Sequence, residues 1–149
     1  MLDPDEVVRR LGLGPHPEGG FYRETFRSPS LLHLPDGRVR SASTAIYYLL
    51  PRGTRSVWHR VLSDEVWHHY DGGALRLYLL GQGEHRLDAA RPQAVVPAGV
   101  WQAAEPVGDA VLCGCTVAPG FDFADFRLAE VDELIRAFPD EADLVRRLA

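Results

Sequence analysis

The chain has 149 residues, 46% of them hydrophobic and 25% charged, with a formal net charge of −5 at pH 7. That composition suits one soluble domain with a core of its own. No basic stripe marks a nucleic-acid surface, and no apolar run reaches the roughly 20 residues of a spanning helix. The opening M-L-D-P-D-E-V-V lacks the basic, apolar and small-residue order of a signal peptide, so a cytoplasmic protein without membrane partners is expected.

Asp3 and Pro4 open a short helix over about residues 4–12, with Val7, Val8 and Leu11 on one side and Gly12 and Gly14 at its end. P-H-P-E-G-G, residues 15–20, reads as a tight irregular turn. Residues 21–28 alternate, with Phe21, Arg23, Thr25 and Arg27 on one face and Tyr22, Glu24, Phe26 and Ser28 on the other. Charge on both faces predicts an edge strand or the lining of a polar cavity. Residues 29–40 read as a surface loop, with a lid as the alternative. Residues 43–50 are a strand by their β-branched and aromatic content.

Residues 56–73, S-V-W-H-R-V-L-S-D-E-V-W-H-H-Y-D-G-G, hold three of the six histidines and two of the three tryptophans. Two β-type runs flank the turn-prone Ser63-Asp64, which predicts a hairpin lining a ligand pocket. Further strands are expected at 74–80, 84–87, 93–96 and 110–117, with a turn at 98–102. Cys113 and Cys115 fall on one face of the last strand. An i,i+2 disulfide would be strained and a lone C-x-C lacks the other half of a zinc site, so they read as buried thiols. Val131, Leu134, Ile135 and Phe138 have helical spacing, and Pro139 restarts a second helix through Leu144, Val145 and Leu148. Roughly eight short strands between helical ends argue an all-β sandwich or closed barrel.

The hairpin and the later Pro97-Ala98-Gly99 turn resemble the two-motif layout of the cupins, with Glu65 and Gly72 in register with the end of the first motif. More specifically, P-H-P-E-G-G-F-Y-R-E-T, S-T-A-I-Y-Y-L-L, W-H-R-V-L-S-D-E-V-W-H, V-V-P-A-G-V-W-Q and G-C-T-V-A-P-G-F-D-F-A-D-F resemble the Cupin_5 family of uncharacterised proteins. The resemblance implies a cupin jelly roll (double-stranded β-helix) with short N- and C-terminal helices, and a homodimer. It implies a single domain over residues 1–149, with the barrel at about 18–128 and the C-terminal helices at about 130–148. It brings no settled activity. The usual three-His, one-Glu metal set is not preserved. The first-motif histidine positions fall on Trp58 and Arg60, with His59 between them and out of phase unless the strand bulges. Gln102 stands at the second-motif histidine position.

Three kinds of chemistry suit these residues. A metal, if bound, would take His59, Glu65 and His69, but no tightly bound metal is expected. Alternation puts Glu65, Trp67 and His69 on one face and Val66, His68 and Tyr70 on the other. Metal-free acid–base catalysis would use His59, Glu65, His68 and Tyr70, with Tyr22 or Tyr47 as alternative acids. Arg23 and Arg60 would hold a phosphate or carboxylate, and His69, Trp101 and Gln102 would complete the ligand-binding set. Third, Trp58, Trp67, Trp101, Phe21, Tyr22 and Phe121 could form a stacking surface for a sugar or base ring. The bland alternatives are an edge-strand ion pair for Arg23 and core packing for Tyr47 and for at least half of those six aromatics. The leading expectation is a small-molecule-binding cupin, an epimerase or isomerase on a sugar-like or carboxylated metabolite. A metal-dependent cupin with a degenerate ligand set and a non-enzymatic binding or sensing module are the alternatives.

Overall fold

A computed structural model describes all 149 residues. Helix α1 spans Pro4–Leu11. Thirteen strands follow: β1 (Gly14–Pro15), β2 (Phe21–Arg27), β3 (Leu31–His33), β4 (Val39–Ser41), β5 (Thr44–Leu50), β6 (Ser56–Arg60), β7 (Asp64–Gly72), β8 (Leu75–Leu79), β9 (Gly83–Leu87), β10 (Gln93–Val96), β11 (Gln102–Pro106), β12 (Val111–Ala118) and β13 (Arg127–Leu128). Helices α2 (Val131–Ala137) and α3 (Ala142–Arg147) end the chain.

Ten strands and the short β13 build two antiparallel sheets, ordered β1-β2-β5-β12-β7-β10 and β13-β6-β11-β8-β9. The sheets face each other as a cupin jelly roll. Their inward rows interlock as one core that includes Tyr48, Leu50, Trp67, Leu75, Leu77, Val111, Cys113 and Cys115. Both cysteines are free and buried.

Each sheet also carries a second apolar layer on its outside. The Asp3 carboxylate caps α1 by accepting from the Asp5 and Glu6 amides at 3.0 and 3.5 Å. The helix lays Val7 against Leu13, Leu49 and Leu112. On the other sheet, Trp58, Tyr78 and Leu80 meet Leu134, Val145 and Leu148 of the C-terminal helices. Strand β8 is thus covered on both faces, which is why its sequence reads as a nearly continuous apolar run.

Strand β11 takes Gln102 from the expected turn and runs on through residues that showed no strand pattern. Two further features bear on the site, a hairpin that departs from the sequence reading and a bulge on which the placement of His59 depends. Residues 29–40 are not a plain loop, because β3 and β4 pair as a hairpin of their own. Its runs are too short to show alternation, and tertiary charge pairing holds it. Arg40 grips the Asp125 carboxylate with two bonds of 2.8 and 2.7 Å, and Arg38 adds a third at 3.2 Å. The second feature is in β6. Gln102 pairs with His59 and Ala104 with Ser56, so Val57 and Trp58 together oppose Ala103. This is a β-bulge, and it turns Trp58 out under the helices while returning His59 to the inner face.

Trp58 is the anchor of the C-terminal layer, with its ring buried and its indole N–H donating to the Val145 carbonyl at 3.1 Å. Trp58→Ala is expected to cost about 3–5 kcal/mol. Urea unfolding followed by circular dichroism measures this, and a loss below about 1 kcal/mol would mean that the helices do not depend on the barrel through this ring.

Candidate functional site

A small cavity, mostly apolar but holding several buried polar groups, lies between the inner faces of the two sheets at one end of the barrel. His16 and Glu18 reach it from the turn after β1, Tyr22 from β2, Ile46 from β5, His59 from β6, Glu65 from β7 and Cys115 from β12. Phe121 and Phe126 close it from the segment after β12. Its free volume is about 30 Å³, room for one or two water-sized groups. The larger depression, about 500 Å³ between α1 and the end of β7, is an open groove whose polar lining includes Asp3, Glu6, Asp71 and Asp109. It has none of the buried acid–base groups that the small cavity has.

Four polar side chains at this site are almost fully buried, at 5% exposure for Glu18, 2% for His59, 8% for Glu65 and 0% for Gln102. Their hydrogen bonds fix where the protons sit. His59 Nδ1 lies 2.7 Å from the Val57 carbonyl oxygen, which only accepts, so Nδ1 carries a proton. The other ring nitrogen, Nε2, is 2.8 Å from Glu18 Oε2. Burial alone would lower the His59 pKa, but the Glu18 carboxylate outweighs it and the net shift is upward. Burial would raise Glu18, and the charge of His59 reverses that to a net lowering. The pair is therefore an imidazolium facing a carboxylate.

Glu65 is held differently. Trp67 Nε1, which only donates, bonds Gln102 Oε1 at 2.9 Å. That fixes the amide so that Gln102 Nε2 donates to Glu65 Oε1 at 2.7 Å. The Glu65 carboxyl makes no ion pair. Burial, followed by repulsion from Glu18, pushes its pKa up to about 7. His16 accepts at Nδ1 from the Glu18 amide at 3.1 Å. Burial lowers its pKa, so it is the neutral tautomer with the proton on Nε2.

The turn that carries His16 and Glu18 needs its glycines. Gly19 has φ +108, and a Cβ there would stand 2.1 Å from the Arg55 carbonyl oxygen. Only glycine lets this turn lie flat against β6, where the Glu18 carbonyl accepts from the Val57 amide at 2.8 Å.

Of the residues singled out in the sequence, the cavity brings together Tyr22, His59 and Glu65, with Gln102 bonded to Glu65. The others lie elsewhere. His69 shares the inner face of β7 with Glu65 but sits four residues, about 13 Å, further along, and its Nε2 bonds the Gly73 carbonyl. His68 and Tyr70 point to the opposite face, where His68 bonds Thr116 and its ring stacks on Tyr70. Tyr47 and Arg23 join them on that outer face, Tyr47 edge-on to Tyr70 and Arg23 over Tyr47. Arg60 lies over Trp101 outside the other sheet. Strand alternation from Glu65 sends His68 and Tyr70 outward. Sequence reasoning missed His16, Glu18, Cys115 and Phe126 as cavity residues, whereas Phe121, expected on an aromatic stacking surface, does line it. A histidine and a glutamate two apart inside P-H-P-E-G-G were the available signal, but the segment was read only as a turn.

The donor set does not fit a metal centre. Both ring nitrogens of His59 are engaged, His69 is remote, and the Gln102 amide is locked between Trp67 and Glu65. Nowhere in the chain do three His, Cys, Asp or Glu side chains converge as ligands.

The sequence matches the family model described as "Cupin superfamily (DUF985)", named Cupin_5, over residues 5–129. The chain belongs to the Cupin_5 family. A comparison with the curated proteins finds no match. Among solved structures this Cupin_5 chain is similar to a protein from Shewanella oneidensis, at 34% identity and a TM-score of 0.87, covering 100% of this chain and 98% of that one. It is also similar to a hypothetical protein from Leishmania major, at 29% identity and a TM-score of 0.88, with 97% of each chain covered. A cupin 2 domain-containing protein from Halorhodospira halophila shares the fold at 16% identity and a TM-score of 0.61, over 87% of this chain and 85% of that one. No helix is long and apolar enough to cross a membrane.

The three buried groups set how stability varies with pH. Glu65 is raised, so its folded form binds the proton more tightly, and stability falls as pH climbs from about 4.5 to about 7. Glu18 is lowered, so its contribution is present above 4.5 and is lost as pH falls through its folded value. His59 is raised, so its contribution is full below 6.5 and is lost as pH rises through its folded value. Glu18 and His59 both contribute fully between 4.5 and 6.5 while the contribution of Glu65 is being lost, so thermal unfolding is expected to show stability highest near the acid end of that range. Glu65→Gln removes one titration and should exceed the wild type at pH 8 by up to about 3 kcal/mol. A variant no more stable than the wild type at pH 8 would show that Glu65 is not destabilised when ionised.

Proposed function

We propose that this cupin is a small-molecule enzyme that transfers a proton at Glu65 without a metal, in the manner of an isomerase or epimerase acting on a carbon next to a carbonyl. One observation carries the reading. A carboxyl with a pKa of about 7, free of any ion pair, faces an enclosed cavity. A buried acid poised near neutrality has the proton affinity that general acid–base catalysis at physiological pH needs.

In this reading Glu65 takes the proton from the substrate carbon and the electron pair moves onto the substrate carbonyl. Gln102 holds Oε1, so the other carboxylate oxygen does the work, and Trp67 keeps Gln102 oriented. His59 cannot be the base, because its imidazolium already spends both N–H groups on Val57 and Glu18. The His59–Glu18 pair acts instead through its field, with Glu18 raising the Glu65 pKa and His59 lowering it. Phe121 and Phe126 keep bulk water from the reacting end. Because Arg23 and Arg60 lie outside the cavity, a hydroxyl- or carbonyl-bearing, sugar-like end is favoured there over a carboxylate.

The test is hydrogen–deuterium exchange in D2O, read by NMR, on a panel of small ketones and aldehydes bearing hydroxyl or amino groups. At least one should exchange its α-proton. Its kcat/KM should rise with pH and level off above about 7, and Glu65→Gln should lose about 10²–10⁴-fold. Compounds that bind and never exchange would make the protein a binding module and overturn the enzymatic reading.

A further inference from the structure

We propose that the cavity receives the positively charged end of a small organic cation of the alkylammonium class, with Glu65 as its counter-ion and the rings of Tyr22, Phe121 and Phe126 as its walls. The inference rests on Glu65 being the working group of the site, and it adds the charge of the ligand.

The argument starts from the bonds behind Glu65. A protonated carboxyl would give its proton to an acceptor, and the Gln102 amide oxygen is the obvious one. Trp67 occupies that oxygen and turns the amide donor to Glu65 instead. The support therefore offers Glu65 a donor and no acceptor for an acid proton, and that bond strengthens when the carboxyl is ionised. A buried carboxylate needs a positive partner, and the protein supplies none. The one imidazolium in the cavity is committed to Glu18. His16 is neutral, since its Nδ1 accepts from the Glu18 amide, and Cys115 is an un-ionised thiol.

The arginines at the rim are also spent. Arg38 and Arg40 hold Asp125. Arg27 pairs with Glu24 at 2.6 Å and donates to the Phe121 carbonyl at 2.9 Å. With two acids and one base, the cavity repels anions and lacks one positive charge. Phe126 already stacks on the His59 ring at 5.6 Å, and with Tyr22 and Phe121 it gives the cavity aromatic walls of the kind that attract cations most strongly where water is excluded. The free volume of about 30 Å³ limits the buried part to a few heavy atoms, such as a methylammonium head. The charged end and the reacting carbon are then neighbouring parts of one molecule.

The test is an NMR shift titration of the full chain with methylammonium, methanol and acetate at matched ionic strength. Methylammonium should give saturable shifts centred on residues 65, 121 and 126, with methanol and acetate at least tenfold weaker. Glu65→Gln should weaken methylammonium at least tenfold. Phe126→Leu, which keeps an apolar side chain but removes the aromatic face, should weaken it several-fold without changing methanol. Acetate or methanol binding as well as methylammonium, an unaffected Glu65→Gln protein, or no saturation with methylammonium would each overturn the proposal. Proton exchange on neutral ketones by a protein that ignores methylammonium would sink this inference and leave the acid–base reading standing. Methylammonium binding with no exchange on any compound would do the reverse.

Discussion

The buried contact between His59 and Glu18, 2.8 Å long, is the constraint around which the open end of the barrel is arranged. Neither charge would survive there alone. Removing one partner would leave an uncompensated ion in a site almost closed to water, which is far more costly than the pair itself. The contact draws the N-terminal turn across the barrel mouth and puts it against β6. It also requires the Val57–Trp58 bulge, without which His59 would face out and Trp58 in.

From that pair follows the state of Glu65. Its carboxyl is buried within range of both charges, and the negative one has the larger effect. The result is a carboxyl that neither ionises freely nor stays firmly protonated. The barrel supports it from behind with a single chain of donors, indole to amide to carboxyl, in which each bond fixes the direction of the next. Such chains are costly when incomplete and rigid when complete. This one is complete on the protein side and ends on the face that a ligand would meet.

The rim is organised by charge of a different kind. Asp125 is gripped by Arg38 and Arg40 from the β3–β4 hairpin, and the Phe121 backbone is held by Arg27 and Thr44. The two rings that close the cavity therefore sit on a segment anchored at several points. The hairpin, far from the reacting groups, is the clamp.

The jelly roll itself was legible in the sequence. Short β-rich runs between turn residues, capped by amphipathic helices, leave few ways to bury their apolar rows, and the motif phrases around residues 15–25, 58–68 and 95–102 point to the family. Glu65, His59 and Gln102 were also visible as polar groups at motif positions. What the sequence could not decide was phase. Side chains on a strand alternate with period two, so one bulged residue in β6 reverses which of Trp58 and His59 lines the cavity. The same arithmetic sent His68 and Tyr70 outward. Nor could local pattern show that His16 and Glu18 cross the mouth, because that position depends on a contact between residues 41 apart in the chain, Glu18 and His59. Sequence by itself determined the barrel and its stock of titratable groups. Tertiary structure alone decided which of them meet, since burial and pairing across strands, not residue type, set where each proton lies.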